Sequence, residues 1–155
     1  MKVFIDAGPV LWLVEGAGPK AESVRSQLSL WLERGVELGA ATQTLAELLM
    51  HPKALGDATL QYRYRALFSE MLSGPLLVMD DEAAALAAQL VAEGGLDFMT
   101  ASQLAVASIH GYDVFFTTQE IPAGLVDCTI VQCFGGDVAS TSIEEAGRRE
   151  EEINF

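Results

Sequence analysis

Short apolar runs alternate with segments of helical periodicity along this chain, and that alternation leaves few folds open. Val3-Phe4-Ile5 carries no charge and meets Asp6-Ala7-Gly8-Pro9, a turn-forming cluster, after which Val10-Leu11-Trp12-Leu13 resumes with helical spacing. Such a pattern reads as buried strand, tight turn and helix. Val36–Thr42, Leu76–Met79 and Val114–Thr117 read as further strands, and Ile130-Val131 as a fifth. Ala21–Arg34 sets Val24, Leu28, Trp31 and Leu32 at helical intervals and ends near Gly35. Thr44-x-x-Glu47 matches a capping box opening a helix that His51-Pro52 stops. Asp57–Ser73, Ala83–Ala92 behind Asp80-Asp81-Glu82, and Thr100–Ile109 complete the helices. Strand and helix in succession, joined by short connections, specify an α/β fold. The expected form is a three-layer α/β/α sandwich with a mainly parallel sheet of four to five strands. At 155 residues the chain has room for one such domain.

Charge narrows the function. The chain has 22 Asp and Glu against 9 Lys and Arg, a net charge of −13. That field gives no general attraction to nucleic acid or to anionic lipid. Seven of the basic residues occur by Arg65, the others are Arg148 and Arg149, and twelve carboxylates fall in the Lys- and Arg-free stretch 66–147. A site built there favours cations or a basic partner, and a solvated acidic surface is the plainer alternative. Cys128 and Cys133, the only cysteines, cannot make a zinc site alone and read as buried free thiols. The N-terminal run, broken by Asp6, Gly8 and Pro9, suits neither a signal peptide nor a spanning helix, so a cytoplasmic location with no membrane partner is expected.

In open parallel sheets ligands bind beyond the carboxyl ends of the strands. Asp6 is the first polar residue after a buried strand, so its carboxylate stands either in that crevice or as the N-cap of the helix entered at Pro9. Glu47, following the second strand, is a ligand candidate or a capping-box partner of Thr44. His110, just before Gly111, reads as a cation at a helix C-terminus.

The segments MKVFIDAGPVLWLVE, ATQTLAELL and TASQLAVASIHGYDVFFTTQE, in this order and spacing, resemble the PIN domain family, most of all its short VapC-type toxins. The resemblance spans roughly residues 1–134 and leaves 135–155 as an acidic C-terminal extension, partly helical or frayed, with a weak helix over 142–153. It implies a metal-dependent endoribonuclease, a hydrolase whose clustered carboxylates hold Mg²⁺ or Mn²⁺ and cut single-stranded RNA. It also implies an antitoxin-like protein partner and a homodimer.

Asp6 and Glu47 match the first two family acids and are the implied catalytic and metal-binding residues. Thr100 and Gln119 stand where the third and fourth belong, and Ala7-Gly8 replaces the common Thr-Asn pair. Asp97 and Glu120 are the substitute metal ligands nearest those positions, with Asp97 alternatively an N-cap. Thr100, Thr117, Thr118 and Gln119 would line the site. Phosphate contacts would come from Lys53, Arg63 and Arg65, with His51 beside them. Base stacking would fall to Trp12, Trp31, Tyr62 or Tyr64, each of which also fits a core pattern.

Two readings follow. One is a divergent, weakly active nuclease with Mg²⁺ or Mn²⁺. The other is a catalytically degenerate PIN module, without metal, that binds a basic antitoxin-like protein. A phosphatase-like protein with Asp6 as nucleophile lacks the Asp-x-Asp pair, because residue 8 is Gly.

Overall fold

The computed structural model describes residues 1–134 and the backbone of Asp137 and Val138. The helix expected over 142–153 lies outside the described residues. In chain order the elements are β1 (Lys2–Ile5), α1 (Ala7–Glu15), α2 (Pro19–Glu33), β2 (Glu37–Gly39), α3 (Thr42–Ala54) and α4 (Ala58–Met71). There follow α5 (Asp81–Ala92), α6 (Phe98–Ile109), β3 (Val114–Thr117), β4 (Thr129–Phe134) and β5 (Asp137–Val138). The sheet order is β2-β1-β3-β4-β5, with β2, β1, β3 and β4 parallel and β5 antiparallel on β4.

Alternation along the two central strands divides the core into layers. Val3, Ile5, Val114 and Phe116 face α1, α2, α3 and α4, while Phe4 and Phe115 face α5 and α6. All six side chains are buried, each worth roughly 1.5–3 kcal/mol relative to exposure. Trp31 of α2 stands edge-on to Phe116 and ties that helical layer to the sheet, while Phe4 stacks on Phe115 across the β1–β3 pair. Cys128 and Cys133 are free and buried in opposite layers; burial pushes their thiols up to about 11 and about 12.

Three expectations are corrected. Leu76–Met79 forms no strand; only Leu77 bridges to Ala41, because the outer edge of β2 is met by single hydrogen bonds from the α4–α5 connection. Ser73 N–H donates to Leu38 and Leu77 N–H to Ala40, which leaves too short a pairing for a ladder. β2 itself is three residues long, not seven. Finally, α3 runs through His51-Pro52 to Ala54, since Pro52 falls in the last turn, where the loss of one N–H is tolerated better than mid-helix.

Gly39 closes β2 beneath Tyr112, whose ring is fixed edge-on by Phe4 with the Lys2 ammonium over its face. A methyl group at Gly39 would overlap the Tyr112 hydroxyl and ring edge. Gly39→Ala is therefore expected to cost about 1–3 kcal/mol in urea unfolding, and the cost should shrink in a Tyr112→Ala background.

Candidate functional site

The carboxyl ends of β1 and β3 and the first turns of α3 and α6 converge on one acidic crevice. Asp6 arrives there because its N–H still pairs with Phe116 as β1 ends, after which the chain turns into α1. Its side chain does both things expected of it. Oδ1 accepts the Ala7 N–H at 2.8 Å at the start of α1, and Oδ2 accepts the Thr117 hydroxyl at 2.7 Å. Thr117, at the end of β3, is fully buried and in turn accepts the Gln119 N–H at 2.9 Å. Asp6 is itself only 3 % exposed. That burial, opposed by the Thr117 hydrogen bond and reinforced by Glu47 and then Asp97, raises its pKa to about 6.

Glu47 reaches the crevice from α3. The capping box expected with it does not form, because α3 begins earlier and Thr44 serves instead as the acceptor for the Ala41 N–H at 3.1 Å. Glu47 accepts from the Gln103 amide of α6 at 2.8 Å. Burial raises its pKa, the Gln103 donor counters this, and Asp97 adds to the rise.

Asp97 takes the N-cap reading. Both of its oxygens are spent on Thr100, one on its N–H and one on its hydroxyl, each at 2.9 Å. α6 starts at Phe98, and Thr100 is its third residue. Asp97 is exposed, yet close enough for its charge to act on both Asp6 and Glu47. Glu120 is exposed in the turn after Thr117 and is not among the charges acting on Asp6 or Glu47. Gln119 is exposed, and Thr118 packs over Gly8, where any side chain would overlap its hydroxyl.

Of the residues expected to meet RNA, Arg63 stands beside the last turn of α1 and Lys53 in the last turn of α3. Arg63 donates its guanidinium to the Val14 carbonyl at the last turn of α1, about 10 Å along that helix from Ala7. Lys53 lies about 9 Å further along α3 than Glu47, in its final turn. Among the described residues, no basic side chain acts on the charge of Asp6 or Glu47. Trp31 and Tyr64 are buried, Trp31 against Phe116 and Tyr64 with its hydroxyl on Glu15, so neither can stack a base. Trp12 is half-covered with the Lys20 ammonium over its ring, while Tyr62 is exposed on α4.

A hard divalent cation takes oxygen ligands and needs several of them to replace its water. Among the described residues no three His, Cys, Asp or Glu side chains gather closely enough to hold one ion. Asp6, Glu47 and Asp97 are each already engaged by neutral donors, and Thr100 and Gln119 add no charge. This donor set does not fit a metal centre. The residue that inspection of the sequence overlooked is Gln103, fully buried and joining Glu47 to Thr44. Its signal is a long polar side chain set among Ala101, Leu104 and Ala105 in a helix whose other polar side chains are all short hydroxyls.

The Asp6 shift has a pH signature. The folded chain keeps this proton up to about pH 6, whereas the ordinary value is 3.8. Ionisation therefore opposes folding: the penalty is absent below the lower value, grows between the two and is complete above the higher. Asp6→Asn is expected to raise unfolding stability by about 2–3 kcal/mol at pH 7, with the gain disappearing by about pH 4 in urea titrations across that range.

No protein-family model and no curated protein matches the chain. Solved structures do. VapBC2 from Rickettsia felis, crystallised bound to a DNA fragment from its promoter, matches with a TM-score of 0.67 at 12% identity, covering 86% of this chain and 100% of that one. FitAcB from Neisseria gonorrhoeae gives 0.60 at 17% identity, covering 83% and 95%. A toxin–antitoxin complex from Klebsiella pneumoniae gives 0.60 at 18% identity, covering 82% and 95%. The sheet order and the helical layers are thus those of the VapC-type PIN fold, and this chain has that fold.

Proposed function

We propose that this chain is a PIN module with a degenerate centre, whose acidic crevice receives a basic segment of an antitoxin-like protein partner. One observation carries the reading. Asp6, Glu47 and Asp97 keep their negative charges close together, yet each is held by a neutral donor, and no basic side chain among the described residues answers them. Carboxylates so placed attract a guanidinium or ammonium from outside, where charge-assisted hydrogen bonds are strongest. The similar structures include a toxin–antitoxin complex from Klebsiella pneumoniae, which makes an antitoxin-like protein the natural class of partner to test.

The competing reading is a metal-dependent endoribonuclease acting on single-stranded RNA through Asp6 and Glu47. The mutual repulsion of Asp6, Glu47 and Asp97, which a cation would relieve, speaks for it. The neutral side chains of Thr100 and Gln119 and the distance of Lys53 and Arg63 speak against it.

Calorimetric titration separates the two. The native chain is expected to take up neither Mn²⁺ nor Mg²⁺ at millimolar concentrations and to leave single-stranded RNA intact. Cleavage that requires metal and is lost in Asp6→Ala would overturn the proposal. Introducing the two missing acids together, as Thr100→Asp with Gln119→Asp, should create Mn²⁺ binding that the native chain lacks, visible as heat and as a rise in melting temperature with metal.

A further inference from the structure

We infer that Gln103 is the positioning residue of the crevice, fixing the Glu47 carboxylate in one orientation through a directional chain of buried hydrogen bonds. The chain begins at the entry to α3. Ala41 N–H donates to Thr44 Oγ1 at 3.1 Å, the Thr44 hydroxyl donates to Gln103 Oε1 at 2.8 Å, and Gln103 Nε2 donates to Glu47 Oε2 at 2.8 Å. Ala41, Thr44 and Gln103 are fully buried.

The direction of each link is set by the one before it. Because Thr44 Oγ1 accepts from a backbone N–H, its own proton goes to the next acceptor. That proton selects the oxygen of the Gln103 amide, so the amide turns its nitrogen to Glu47. The second Nε2 proton goes to the Met99 carbonyl at 3.3 Å, which exhausts the donors of the amide. No water competes at a fully buried side chain, and each link polarises the next. The result ties the first turns of α3 and α6 together at the point where Glu47 leaves the helix surface. Gln103 supplies to Glu47 a fixed donor that does not leave with solvent.

The consequence for cation recognition rests on the receptor reading above; the consequence for Glu47 itself does not. The probe is a hexa-arginine peptide, and the variants are Gln103→Met, Glu47→Gln and the two combined. Methionine keeps the length of the side chain and removes the donor. Gln103→Met is expected to weaken peptide binding about tenfold, and the double variant to bind no worse than Glu47→Gln alone. Native-like affinity in Gln103→Met, or losses that add, would overturn the inference.

If the native chain itself ignores the peptide, the receptor reading fails, and NMR decides the positioning role by itself. In Glu47→Gln the side-chain amide protons of Gln103 should move to new shifts and exchange faster with water. Resonances unchanged from the native chain would show that the amide does not hold Glu47. The same spectra decide the matter if Gln103→Met does not fold.

Discussion

The Asp6 carboxylate is taken out of water at the point where a buried strand becomes a helix, and the surrounding residues answer that cost. Two donors, the Ala7 amide and the Thr117 hydroxyl, meet its oxygens, yet burial still outweighs them and the carboxyl holds its proton to about pH 6. Parallel pairing of β1 with β3 is what brings Thr117 within reach, so the arrangement of the sheet and the state of this one group are coupled. A fold that stations an unfavourable charge at the mouth of its crevice spends stability on having it there.

The same logic extends outward from Asp6. Glu47 is met by Gln103, Asp97 by Thr100, and the strand end at Thr117 by the Gln119 amide. All three of these responses come from uncharged groups, so the crevice keeps its negative field with no cation among the described residues to offset it. Basic side chains are used in other places, Arg63 at the end of α1 and Lys2 against Tyr112 and the His110 carbonyl. Among the described residues, charge is thus segregated by the local packing, with carboxylates at the strand ends and these cations away from them.

Much of this architecture is legible in the residues alone. Val3-Phe4-Ile5 of β1 and Val114-Phe115-Phe116 of β3 are apolar runs bounded by polar or turn residues, so burial on both faces and parallel pairing follow from composition. Asp6 and Glu47 could be named from the rule that sites lie past strand ends. Other features depend on contacts remote in sequence. The length of β2 depends on what covers its outer edge, and Pro52 stays helical because of where α3 happens to end. Thr44 has a sequence signature for one end of a helix but serves two residues deeper. Gln103 was hidden for a different reason: a glutamine on a helix looks the same whether it meets water or a carboxylate, until the opposing helix is known. Arg63 likewise reads as a surface cation until α1 places a carbonyl beside it.

The contact between Gly8 and Thr118 has a bearing on how such a crevice can change. Thr118 occupies the volume that a side chain at residue 8 would need, so the two positions are a matched pair rather than two independent losses. A mutational path that first enlarged residue 8 would meet a steric barrier; a path that first reduced Thr118 to a smaller residue would not. The order of substitutions is thereby constrained.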